Sequence, residues 1–147
     1  MKDLKKEIQR SFRLEMIGTG LYSALAKQYG RQNPNLGERL QTFSDDERMH
    51  GRLFQKCSQN LYGNALGGEQ LWHFVGKMAA WAMRPLPLEA KLKKLNIAEK
   101  HAVEQIEQAL ATGEDTSFHK AIRVILRDEK AHAAFYDEWR SSSPMQT

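Results

Sequence analysis

Two Glu-x-x-His pairs constrain this chain more than any other feature: Glu47-Arg48-Met49-His50 and Glu129-Lys130-Ala131-His132. A spacing of three puts acid and imidazole on one face of a helix, a turn apart. In both stretches that face is otherwise apolar. It reads Leu40, Phe43, Glu47, His50, Phe54, Cys57 in the first and Ile122, Ile125, Glu129, His132, Tyr136, Trp139 in the second. A carboxylate aimed into a core is costly unless it is paired or binds a metal. The two pairs therefore read as halves of one metal site.

If each pair lies on the second helix of an antiparallel hairpin, the first helix should carry an acid at the same height, with the turn midway. For Glu15 and Glu47 the midpoint falls at Arg31, inside Gly30-Arg31-Gln32-Asn33-Pro34; for Glu99 and Glu129 it falls at Glu114, inside Thr112-Gly113-Glu114-Asp115-Thr116. Both are the strongest turn signals of their regions. Glu15 lies on the stripe Ile8, Phe12, Glu15, Gly18, Tyr22, Leu25, and Glu99 on Leu95, Glu99, Ala102, Ile106, Ala109. The chain thus reads as a weak internal duplication: a helix with Glu followed by a helix with Glu-x-x-His, twice.

Four Glu and two His from four helices resemble the ferritin-like di-iron carboxylate proteins, in which two helices give one Glu each and two give Glu-x-x-His. The resemblance spans roughly residues 5–140. It implies two iron ions held by Glu15, Glu47, His50, Glu99, Glu129 and His132, with manganese as the alternative metal. Carboxylates are hard, anionic ligands able to bridge cations, and imidazole suits iron. Four of them balance two ferrous ions. Zinc more often takes four tetrahedral ligands. The resemblance also implies that Asp46 and Asp128, each preceding a ligand Glu, reach the other half's histidine and fix its tautomer. Related proteins often place a Tyr where Tyr22 stands, two turns after Glu15, as a hydrogen-bond or one-electron donor. The bland reading makes Tyr22 a core residue and the two Asp solvated charges.

The implied fold is an all-α, ferritin-like up-down-down-up four-helix bundle with a long helical crossover between its second and third helices. The periodicity predicts bundle helices over 3–30, 35–60, 88–111 and 115–141, a single domain spanning 1–147, a crossover over about 61–88 and a frayed tail over 141–147. Within the crossover, 69–84 reads as a further helix closed by Pro85 and Pro87. It carries Trp72, Phe74, Trp81 and Met83, with Lys77 and Arg84 in it and Lys91, Lys93 and Lys94 just after. Three readings stand for it: packing on the bundle, a homodimer contact, or peripheral membrane contact through 69–84.

Other features narrow the function. An apolar content of 41% and a charged content of 27% suit a soluble protein. No apolar run approaches the roughly 18–20 residues that span a bilayer. Met1 to Glu7 shows no apolar signal region, so a cytoplasmic setting is expected. The net charge of +4 comes without a basic stripe interleaved with aromatics, which argues against nucleic acid. The lone Cys57 reads as a small core residue. His101 reads as a surface histidine, and His73 and His119 as structural or exposed. Glu104 is the substitute if Glu99 is not the third-helix ligand.

Six ligands of this kind serve several chemistries, so the fold does not choose among them. The expected class is an O2- or peroxide-dependent oxidoreductase fed by an external reductant. Within it, iron or peroxide oxidation of the rubrerythrin-like kind is expected ahead of hydroxylation of a small apolar substrate such as a quinone. A non-enzymatic metal-binding bundle is the third reading. Bacterioferritins are similar around Leu126-Arg127-Asp128-Glu129 and His132. Their short fifth assembly helix has no counterpart here and the charge is basic, so a storage cage is not expected. Rubrerythrins proper add a four-cysteine iron site, which a single cysteine cannot supply, and usually an extra Glu in place of one His. Demethoxyubiquinone hydroxylases share the ligand set and an apolar crossover that docks on membranes, but the surroundings of Glu15 match them poorly.

Overall fold

Helix boundaries follow local capping chemistry. The structure is a computed structural model and describes residues 3–142. Helix α1 spans Leu4–Tyr29, and the Asp3 carboxylate accepts from the amides of Lys5 and Lys6 at its start. Helix α2 spans Pro34–Tyr62; Asn33 caps it by accepting from the Leu36 amide, with Pro34 in the first turn, where a missing N–H is harmless. Gly63 ends α2 in the left-handed conformation, φ 67°, which glycine adopts without strain. Helices α3 (Glu69–Ala82), α4 (Leu88–Leu110) and α5 (Ser117–Ser142) follow. All five elements among the described residues are helices, close to the ranges that periodicity predicts. Beyond position 142 the expected frayed tail lies outside the described residues.

The chain divides into two compact units, Met1–Arg84 and Pro85–Thr147. In the first, α1 packs against both α2 and α3. Its contacts with α2 run in opposite chain directions. Met16 meets Gly51, Gly18 meets Glu47, the Ser44 hydroxyl donates to the Thr19 carbonyl at 2.8 Å, Tyr22 sits edge-on to Phe43, and Gly30 meets Gly37. This is an antiparallel hairpin with Glu15 close to the height of His50. Ile8, Phe12, Met16, Leu25, Leu36, Leu40, Phe43 and Phe54 are buried in this unit. Cys57 is buried as well, and burial pushes its thiol up, consistent with an inert core residue.

Helix α3 approaches α1 backbone to backbone. A Cβ on Gly20 would strike the His73 carbonyl oxygen, and one on Gly76 the Ile17 carbonyl oxygen and the Leu21 amide. His73 is half-buried there, and its Nε2 has no hydrogen-bond partner among the described residues. Burial lowers its pKa below the ordinary 6.5, helped by Lys77, Arg48 and Lys27, with Glu69 opposing. The folded chain thus holds His73 neutral where the unfolded chain would protonate it. The contribution is complete above about pH 6.5 and is lost as pH falls through the lowered value. Thermal unfolding followed from pH 8 to 5 is expected to show this loss, and His73→Gln to reduce it.

The second unit is the α4–α5 hairpin. Ion pairs Lys100–Asp137 at 3.9 Å and Glu107–Lys130 at 3.3 Å step in opposite directions along the two helices, which makes them antiparallel. Leu92, Phe118, Ile122, Ile125 and Phe135 are buried here. His119 is buried at the start of α5. Its Nδ1 lies 2.7 Å from the Thr116 hydroxyl and its Nε2 3.3 Å from Glu114, so its place is structural.

Candidate metal centre

Each unit presents the same triad. In the first, Glu15 comes from α1 and Glu47 and His50 from α2. The His50 Nδ1 lies 3.4 Å from a carboxylate oxygen of Glu15 and 3.4 Å from one of Glu47. His50 is 1% exposed and Glu47 5%, and the Glu15 side chain 13%. In the second, Glu99 comes from α4 and Glu129 and His132 from α5. There the His132 Nδ1 lies 3.9 Å from an oxygen of each glutamate. All three residues are buried. Within each triad one ligand atom per residue lies within 4.8 Å of the others.

The 3.4 Å separations of the first triad suit a shared cation, and the 3.9 Å separations of the second are slightly wider. Metal–ligand bonds of about 2.0–2.2 Å place neighbouring donor atoms roughly 3.0–3.5 Å apart, whereas a direct N–H···O bond closes to about 2.7–3.2 Å. Two buried carboxylates side by side also repel each other, and a cation between them removes that repulsion. Nδ1 is the nitrogen facing the acids in both triads, so it is the atom that would face a metal, with Nε2 left for an outer partner. Oxygen-rich triads of this kind fit iron or manganese. The described residues therefore fit the metal that the sequence implies.

The other expected site residues take these places. Asp46 and Asp128 are half-buried beside Glu47 and Glu129. Tyr22 is buried with its ring 5.6 Å from that of Phe43. Glu104 is exposed, and so is His101, whose Nε2 lies 3.0 Å from the Gln105 amide nitrogen.

Two features escape a reading of the sequence. Gly18 lies against Glu47: a Cβ there would sit 2.9 Å from Oε1 and 3.1 Å from the carboxyl carbon. The glycine leaves the space in which the Glu47 carboxylate stands. Its signal was present, a glycine on the Glu15 stripe in mid-helix, where it weakens the helix. Gly18→Ala is expected to leave folding nearly unchanged, because the side chain it displaces is flexible and the helix gains about 0.5–1 kcal/mol in propensity. Metal affinity should fall by about tenfold. Parallel denaturation and metal titration separate the two effects. The second feature is Tyr136, one turn beyond His132, whose hydroxyl donates to Glu89 Oε1 at 2.9 Å. That bond, with burial, raises the Tyr136 pKa.

Paired helices carrying largely buried Glu/Glu/His triads place the chain in the ferritin-like di-iron carboxylate superfamily. The rubrerythrin family model matches residues 6–139, and the chain belongs to that family. No curated protein and no solved structure matches it significantly.

Proposed function

We propose that the chain binds two iron ions through these Glu and His residues and reacts with O2 or peroxide, acting as a ferroxidase or peroxide reductase of the rubrerythrin-like kind. The observation that carries this is the repetition: each half of the chain offers two glutamates and a histidine whose Nδ1 faces them, with ligand atoms within 4.8 Å of one another. Ferrous iron, when bound, supplies the electrons for two-electron reduction of O2 or peroxide.

The residues hold and tune that metal pair. Glu15, Glu47, Glu99 and Glu129 balance its charge. His50 and His132 would ligate through Nδ1, and Asp46 and Asp128 are the proposed outer acceptors for the imidazole Nε2–H groups, holding the tautomer. Tyr22, two turns beyond Glu15, is the proposed nearby donor. The exposed apolar face of α3 favours one second reading, hydroxylation of a small apolar substrate. An oxygen electrode with excess ferrous iron, then with peroxide, tests the proposal. Sustained consumption without organic substrate supports it. A single slow turnover moves the assignment to the hydroxylase, and metal binding without any oxidation to a passive binder.

A further inference from the structure

Helix α3 is apolar on two opposite faces, and the fold covers one of them. Gly76 and Ala80 are buried, where Gly76 meets the α1 backbone. On the other side Leu71, Phe74, Met78 and Trp81 recur at helical spacing and are 58, 58, 45 and 63% exposed. The stripe cannot roll inward, because only a glycine allows the approach to Ile17 and Leu21. It presents on the order of 500 Å² of apolar surface, the size of a functional patch on a soluble protein and short of the roughly 800 Å² that each partner of a stable protein pair buries.

Its charges choose the occupant. Lys77 and Arg84 are exposed beside the stripe, and Arg13 lies over the Trp72 ring at 5.4 Å near the start of the helix. Glu69, the one acid in 69–84, is two turns from Gly76 and so belongs to the opposite side. The stripe is symmetric about Gly76. Antiparallel pairing with a second copy would therefore bring two Lys77 side centres together with no acid on that face to offset them. A phosphate-bearing lipid surface has the complementary charge and an apolar layer beneath it. No helix among the described residues is long and apolar enough to cross a membrane, and a 14-residue helix lies in the interface plane.

We propose that α3 docks flat on an anionic bilayer surface, with Leu71, Phe74, Met78 and Trp81 entering the headgroup–acyl boundary and Lys77 and Arg84 at the phosphates. The test is sedimentation of the full-length chain with vesicles of equimolar phosphatidylglycerol and phosphatidylcholine, against phosphatidylcholine alone. Binding is expected on the anionic vesicles, weakened by salt, and at least about tenfold weaker for Phe74→Ser/Trp81→Ser. Both positions are exposed, and circular dichroism checks that the variant stays helical. Lys77→Glu/Arg84→Glu should weaken binding to the anionic vesicles alone. No binding at low salt overturns the proposal, as does binding indifferent to the Phe74/Trp81 pair. So does a dimer in sedimentation equilibrium that the same pair dissolves, which would make a second copy the occupant. None of these outcomes depends on the metal.

Discussion

Glu47→Gln is expected to abolish stoichiometric iron binding while leaving the metal-free chain as stable as the parent or more so. Glu47 is 5% exposed, and the His50 Nδ1 stands 3.4 Å from it and equally far from Glu15. In the metal-free chain two carboxylates share this buried space, and an amide of the same shape removes one of the two like charges. A gain of zero to about 2 kcal/mol follows. With iron the order reverses. The parent gains stability by mass action, about 2.7 kcal/mol per site at a hundredfold excess over Kd, and the variant gains nothing. Urea unfolding with and without ferrous iron under argon reads both effects. Equal stabilisation of parent and variant by iron would remove Glu47 from the ligand set.

Gly76→Ala is expected to destabilise the chain by about 1–2 kcal/mol, although alanine is the better helix former. The new Cβ would fall on the Ile17 carbonyl oxygen and stand 2.7 Å from the Leu21 amide nitrogen. Both are α1 backbone, which cannot swing aside as a side chain can. Overpacking of this kind costs about 1–3 kcal/mol or more, against a propensity gain of about 1 kcal/mol. Gly67→Ala is the control, since nothing lies within 4 Å of a Cβ there. Its unfolding midpoint should stay close to the parent's, and a Gly76→Ala midpoint that also stays there would contradict the close approach of α3 to α1.

The helices and the clustering of these Glu and His side chains were legible because they rest on local or periodic signals. Asp3, Asn33, Pro34 and Gly63 mark helix ends by chemistry within a few residues. The midpoint argument finds Glu15 to within one turn, because hairpin geometry ties height to sequence distance; the observed register sets Glu15 against His50 and Gly18 against Glu47. What stayed hidden depends on register between distant segments. The Tyr136–Glu89 bond joins residues 47 apart, and nothing local at either marks the other. Which face of α3 is covered could not be read from a helix apolar almost all round. Gly76 decides it by lacking a side chain, and hydrophobic patterning assigns a glycine to neither side. Gly18 stayed hidden for the same reason: its part in the site is the room it leaves beside Glu47.

Anaerobic titration of the metal-free chain with ferrous iron, read by Mössbauer spectroscopy and by unfolding stability, tests the central claim most directly. The account predicts saturation at two irons per chain, a rise in stability that levels at that ratio, and loss of both irons' normal occupancy when either His50 or His132 is replaced by alanine. Absence of stoichiometric iron binding, or saturation unaffected by both replacements, would contradict it.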